Sequence, residues 1–321
     1  MNDLPAFLDS GRPNLPDVVV PQGVTPFFLP DRPVRGRLIK LGPLAEALLG
    51  RHAHNPHAVT RLAGKALALT AALATALKYS GTFSLQAKGD GPVNLLLTDC
   101  TDEGTLRGYA RGDNDRLALL DDADAATDAE LLGQGYLAFT VDQGPETERH
   151  QGIVAIEGAD LSDMALHYFA TSEQFQCAIH LACAQTPQGW RASALILERI
   201  ASGGDGNLAL SDAEQDESWN TAVTLAATVT EAELLDDQVT PERLLYRLFH
   251  TEGVAADRAR ALGYGCRCSR AKLTGILEQF TPEELDEMVQ GDDITMTCEF
   301  CNMHFSFPRA DLHGQSAARP Q

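Results

Sequence analysis

Cys266-Arg267-Cys268-Ser269-Arg270 and Cys298-Glu299-Phe300-Cys301, with 29 residues (269–297) between Cys268 and Cys298, decide how this 321-residue chain is organised. Four thiols in two tight pairs suit zinc, a borderline-soft ion that accepts tetrahedral sulfur coordination. In C-x-C an extended backbone puts alternate side chains on one side. A C-x-x-C turn lets both sulfurs face one point. Between the pairs, Leu273, Ile276, Leu277 and Phe280 form a short apolar stripe, and Thr281-Pro282-Glu283-Glu284 opens a second helix with Leu285, Met288 and Val289 facing inward. These helices fold back and gather Cys266, Cys268, Cys298 and Cys301 as ligands of one Zn2+. Two such stripes cannot offset the ordering entropy of the unit, at about 1–2 kcal/mol per residue. Metal binding therefore dominates the folding of residues 255–312, and residues 313–321 form a tail.

Upstream, residues 201–254 read as a flexible connector and a helical linker. The stretch 201–218, ASGGDGNLALSDAEQDES, is rich in Gly, Asp and Ser and has little to bury. Residues 220–250 are helical: Thr230 with Glu233 makes a capping box, and Thr240-Pro241 an N-cap followed by proline at the first helical position. Leu244, Leu245, Leu248 and Phe249 then share one face.

Residues 28–200 read as a mixed α/β core, so the fold class is α+β: a sheet with packed helices, a helical linker and a small zinc unit. Leu62, Ala66, Leu69, Leu73 and Leu77 predict a long buried helix over 57–79. Phe83, Leu85 and Ala87 alternate before the turn residues KGDGP (88–92), which predicts a hairpin. Further strands are expected at 93–98, 105–110, 136–141, 153–156, 177–183 and 192–200. Leu161, Met164, Ala165, Tyr168 and Phe169 mark an amphipathic helix. Residues 1–27, rich in Pro, Asp and Gly, read as an extended arm.

The net charge of -20 argues against nucleic-acid binding and against docking on anionic membranes. It favours solubility for a protein that exposes apolar surface. No transmembrane stretch is expected, because Arg61, Lys65 and Lys78 interrupt the Ala-rich segment. No signal peptide is evident, so a cytoplasmic, reducing location is expected, where thiols persist. There is no G-x-S-x-G, no H-E-x-x-H and no supported Cys-His arrangement, so the chain is not expected to be an enzyme.

Seven cysteines is an odd number. Cys177, Ile179, Leu181 and Cys183 alternate, so both thiols point to one apolar face as core residues. Cys100, at a strand end, is expected to be more exposed. His304 is a weaker ligand candidate, since four thiolates complete a shell. His52, His54 and His57 fit a loop before a helix better than a second metal site. Each C-terminal cysteine pair is close enough in sequence to close a disulfide within itself, Cys266–Cys268 and Cys298–Cys301, and oxidation would then eject zinc. A purely structural zinc unit that serves as a constitutive binding module, and a thiol–disulfide oxidoreductase using Cys298-x-x-Cys301, remain the alternatives.

At this point the chain resembles the heat-shock protein 33 family of redox-regulated chaperones. The likeness lies in GCRCSR (265–270), CEFCNMHFSF (298–307), GDGPVNLLLTD (89–99), RGYARG (107–112), QGIVAIEG (151–158), YFATSEQ (168–174), TEAELL and RLLYRLFHTEGV, in consistent order from residue 35 to 312. The resemblance implies an ATP-independent holdase that is zinc-bound and inactive when reduced. It implies that oxidants form the Cys266–Cys268 and Cys298–Cys301 disulfides, release zinc and unfold the linker, and that the opened form, a homodimer when oxidised, protects unfolding proteins under oxidative stress. Leu234, Leu235, Leu244, Leu245, Leu248 and Phe249 are then the expected client-binding residues. Two parts depart from the family pattern: the arm before residue 27, and AADRARALGY (255–264), which is more basic and less aromatic.

Overall fold

The computed structural model describes residues 15–313 except 78, 121, 123, 145, 146, 148, 174, 175 and 201–209. In chain order, β1 (Val19–Leu29) and β2 (Val34–Lys40) precede α1 (Pro43–Leu49) and α2 (His57–Ala74). A meander of β3 (Thr82–Gly89), β4 (Val93–Thr101) and β5 (Thr105–Gly112) leads through the short α3 (Asn114–Leu117) and α4 (Asp128–Leu132) to β6 (Gly135–Asp142) and β7 (His150–Ala155). Then come α5 (Leu161–Tyr168), β8 (Cys177–Thr186), β9 (Gly189–Arg199), α6 (Asp212–Ala226), α7 (Glu231–Leu235), α8 (Pro241–Phe249), β10 (Ala255–Ala256) and β11 (Arg260–Tyr264). The chain divides between Gly265 and Cys266 into two compact units. The second contains α9 (Arg270–Leu277), α10 (Pro282–Glu287), β12 (Asp293–Thr297) and β13 (His304–Pro308).

The first unit is built on one sheet, ordered β7-β6-β3-β4-β5-β11-β1-β2-β9-β8, with β10 added beside β1. Alternation gives each strand two faces. Phe83, Leu85, Ala87, Leu96, Leu106, Leu137, Phe139, Ile196 and Leu262 point into a core shared with α1, α2 and α5. Helix α2 buries 15 of its 18 residues, as a helix apolar on every side must. Its charged members reach out of the core: Lys65 Nζ meets both carboxylate oxygens of buried Asp128 at 3.1 and 3.0 Å. The helix ends at Ala74, short of the expected 79, where the Thr75 hydroxyl donates to the Ala71 carbonyl. No helix among the described residues is long and apolar enough to cross a membrane.

Three sequence boundaries move. The expected arm over 1–27 gives up residues 19–27 to β1, which pairs with β2 from Val24↔Ile39 to Leu29↔Val34. Pro21 and Pro26 disguise this strand. Pro21 falls within the register shift between Val20 and Val24, and at Pro26 the ladder loses only one donor. The expected connector loses residues 212–218 to α6, opened by a Ser211–Glu214 capping box; its remainder at 201–209 lies outside the described residues. Residues 255–265, expected in the zinc unit, instead complete the sheet as β10 and β11.

On the opposite face, β1, β2, β9 and β8 are covered by α6, α7 and α8. Trp219, Leu234, Leu235, Leu244, Leu245, Leu248 and Phe249 pack there on Phe27, Val34, Leu38, Leu195 and Leu197. The Phe27 and Phe249 rings stack at 5.5 Å. Gly36 leaves the room that the Phe27 ring occupies. Two cations pin the turn between α7 and α8: Lys40 Nζ donates to the carbonyls of Asp236 (2.6 Å) and Val239 (2.8 Å), and Arg191 Nε donates to Asp237 Oδ2 (2.7 Å). Burial pushes the Lys40 pKa below its ordinary value, against the pull of Asp237 and Asp236. Replacing Lys40 by Met strands two carbonyls, at about 1–3 kcal/mol. In Lys40→Met, amide exchange in α7 and α8 is expected to quicken by about tenfold or more, with β3 and β4 unchanged; unaltered exchange in α8 would remove the pin.

His180 lies on the same face, in alternation with Ala178 and Ala182. Its Nε2 is buried without a hydrogen-bond partner among the described residues, and burial depresses its pKa below 6.5. The packed face therefore prefers the neutral ring. Above 6.5 the ring is neutral packed or not, so packing is unaffected; below 6.5 packing weakens until the depressed pKa is passed. Exchange of α7 amides, corrected for intrinsic rates, should quicken between pH of about 7 and about 5, and this dependence should shrink in His180→Gln.

Candidate metal centre

The C-terminal unit has little to pack with. Leu273, Leu277, Leu285, Ile294, Phe305, Phe307 and Leu312 are its buried apolar side chains, whereas Ile276 is 44% and Met288 36% exposed. Neither of these two therefore joins the inward stripe that periodicity predicts. Local sequence shapes the rest. Ser269 caps α9 by accepting from the Lys272 N–H at 3.2 Å, and Thr281 with Glu284 forms a capping box on α10. Arg270 lies over the Phe307 ring at 4.5 Å and donates to the Ser306 carbonyl.

Each cysteine pair sits on a different kind of support. Cys266 and Cys268 lie in the non-helical run that leads into α9. Cys298 and Cys301 form the turn of the β12–β13 hairpin, just beyond the pair Thr297↔His304. The turn is closed by Cys298 N–H to Met303 O (2.9 Å) and Asn302 N–H to Cys298 O (2.7 Å). Asn302 takes the left-handed conformation, φ 52°, that the reversal needs.

The four sulfurs all lie within 4.8 Å of one another. Cys266 Sγ is 3.7 Å from Cys298 Sγ, and Cys268 Sγ is 3.4 Å from Cys301 Sγ. A tetrahedral ion with metal–sulfur bonds of about 2.3 Å sets sulfur–sulfur edges of about 3.8 Å, so the arrangement fits a metal held by Cys266, Cys268, Cys298 and Cys301. Crowded thiols share protons unequally: hydrogen bonding from Cys268 brings Cys266 down to about 7, and that from Cys266 pulls Cys298 down. Cys268 and Cys301 are pushed up, chiefly through their hydrogen bonds with Cys266. Four thiolates so close repel one another, and a cation at their centre relieves that repulsion.

The remaining candidates fall away from this centre. His304 Nδ1 is 2.7 Å from Thr297 Oγ1 and is not in the sulfur cluster. His57 sits against Trp190, ring centroids 4.7 Å apart. Cys100, expected to be more exposed, is fully buried, because its side chain points to the helix-covered face of β4. Cys183 is fully buried and Cys177 partly so, and burial raises both pKa values to about 12. What sequence reasoning missed is the Lys40 and Arg191 pin; a lysine within the otherwise apolar end of VRGRLIKL (34–41) was the available signal.

A broad two-faced sheet, helices docked over part of one face, and a small unit built round four thiols define a two-unit protein whose second unit is suited to a metal. The Hsp33 protein family model matches residues 23–308. The chain belongs to the Hsp33 family. A 33 kDa chaperonin of Caulobacter vibrioides is 38% identical over 285 residues, covering 87% of this chain and 92% of that protein. Another, of Ectopseudomonas mendocina, is 34% identical over 289 residues, covering 89% and 92%. The crystal structure of the 33 kDa chaperonin (heat shock protein 33 homolog) of Thermotoga maritima superposes with a TM-score of 0.72 at 22% identity, covering 90% of this chain and 96% of that one. The fold is thus shared, and family membership supports a chaperone role.

Structural-metal sites of this kind contribute about 10–16 kcal/mol to folding. Chelation at neutral pH, or Cys298→Ser, is expected to abolish amide protection in 266–312 while β3 and β4 stay protected. Retained protection after metal removal, confirmed by elemental analysis, would show that the unit folds on its apolar residues alone.

Proposed function

We propose that this chain is a redox-regulated, ATP-independent holdase, bound to zinc and inactive when reduced, and opened by oxidation. The carrying observation is the cluster of four sulfurs within 4.8 Å, contributed by two pairs with one and two residues between their members. Zinc there would supply the cross-link that the small unit's apolar residues cannot. Disulfide formation within Cys266–Cys268 and within Cys298–Cys301 removes all four thiolates. As each pair of thiolates becomes a disulfide it gives up two electrons, which with two protons from solvent reduce one hydrogen peroxide to two waters. Both pairings are supported by sequence proximity and by the family resemblance.

The linker supplies the client-binding surface in this reading. Leu234, Leu235, Leu244, Leu245, Leu248 and Phe249 are each at most 8% exposed in the closed form. Release of α7 and α8 would expose them, and their amphipathic pattern suits unfolded, aggregation-prone chains. The high negative charge keeps such an opened form dispersed. A cytoplasmic location, where thiols stay reduced until stress, and a homodimer on oxidation belong to the same proposal. Binding rather than turnover is the proposed activity: Cys298-x-x-Cys301 lies in a hairpin turn, not at a helix start where an oxidoreductase pair would gain a lowered pKa.

Light scattering of a thermally aggregating protein tests the proposal. Peroxide-treated chain should suppress aggregation and release zinc to a chromophoric chelator, and reduced chain should do neither. Equal suppression by both forms would leave a constitutive binding module, and rapid turnover of a disulfide substrate would restore the oxidoreductase.

A further inference from the structure

Strand β11 occupies an unusual position. It comes late in the chain, yet it lies in the middle of the sheet, between β5 and β1. It runs parallel to β5 (Gly263↔Thr105, Tyr264↔Leu106) and antiparallel to β1 (Val19↔Gly263, Val20↔Leu262, Val24↔Arg260). Five strands lie on one side of it and four on the other, and no other described strand joins the two sets. Its withdrawal would leave two facing edges with unpaired backbone groups. The halves would still be held together beneath, because α2 packs on β3, β4 and β5 of one and on β2, β8 and β9 of the other.

The strand is five residues long. Its ladder includes Gly263 N–H to Gly104 O (2.9 Å) on one side and Tyr264 N–H to Val18 O (3.0 Å) on the other, and Gly265 N–H to Leu106 O (2.8 Å) follows it. One side chain, Leu262, is fully buried and plugs the core. Helix α1 packs on β1, β5 and β11 alike and so floors the slot. The walls are trimmed with glycine: a Cβ on Gly23 would lie 2.8 Å from Leu262 Cβ, and one on Gly104, at φ +86°, would lie 2.5 Å from the Ala261 carbonyl. The strand is also bracketed in sequence. Helix α8 ends at Phe249 before it, and Cys266 follows Tyr264 by two residues.

We propose that β11 is a removable stand-in for client, and that its release opens a slot between β5 and β1 which accepts an extended segment of an unfolded polypeptide as a replacement strand. The proposal rests on the oxidative opening described above, since both flanks of β11 are the segments that then lose structure. The occupant is specified by the strand it replaces. It is an extended backbone carrying one aliphatic side chain toward α1, with a small residue at the place of Gly265, where a Cβ would lie 2.6 Å from Thr105 Cβ. The glycines of the walls remain in place, so the incoming chain needs none opposite them. Backbone pairing is indifferent to most of the client's sequence, which suits a protein that holds many different chains.

Amide exchange on the full-length chain tests this, with reduced, carboxymethylated α-lactalbumin as a permanently unfolded client. On peroxide treatment, the amides of Thr105 and Leu106, the residues of β5 paired with β11, and of residues 19, 20 and 22–24 should lose protection. Adding client should slow their exchange by about tenfold or more, while reduced chain shows no response. Protection that persists through oxidation, or that is lost and not regained on binding client, overturns the slot. Light scattering in the same samples separates the two readings. Suppression without exchange changes at β5 and β1 overturns the slot alone; absence of suppression overturns the holdase reading and the slot that rests on it.

Discussion

Four sulfurs drawn to one point are the constraint on which the second unit depends. Its apolar side chains come one or two at a time from α9, α10, β12 and β13 and form no large cluster like that beneath the sheet. In a unit this small, ordering entropy rivals everything such contacts return. The cysteine cluster concentrates the missing stabilisation in one place, and in groups whose chemistry can be changed by an oxidant. A hydrophobic core of equal strength would have no comparable off state.

The sheet of the first unit serves two layers. One face is closed by α1, α2 and α5 into an apolar core. On the other, α6, α7 and α8 cover β1, β2, β9 and β8 with a mixture of leucines, a ring stack and polar pins. That mixture matters. Leucine packing is additive and holds the helices wherever they fit, while Lys40 and Arg191 hold the turn between α7 and α8 at a defined place.

The parts of the fold legible in the sequence were those set by local periodicity. The hairpin around KGDGP, helix α2 and the amphipathic α5 follow from alternation and 3.6-residue spacing. The gathering of Cys266, Cys268, Cys298 and Cys301 into one cluster was legible because cysteine spacing is itself the signal. What stayed hidden depended on partners far along the chain. Prolines 21 and 26 concealed β1, which is a strand because β2 and β11 flank it. Residues 255–264 carry Arg258 and Arg260 and read as part of the small unit, yet Leu262 lies fully buried in the large one. Cys100 was placed at a strand end correctly, but which face it occupied depended on where the helices pack.

The position of β11 also bears on why a switch in a small unit could matter to a large sheet. Inter-strand pairing is cooperative only across contiguous ladders, and in this sheet one five-residue strand, through its ladders to β5 and β1, joins the two halves. A strand added at an edge could be lost with no effect on the rest. A strand in the centre cannot leave without creating two edges at once, each with donors and acceptors that must find water or another chain. In the proposed switch, the short stretch from Tyr264 to Cys266 would connect thiol chemistry with the sheet through chain continuity.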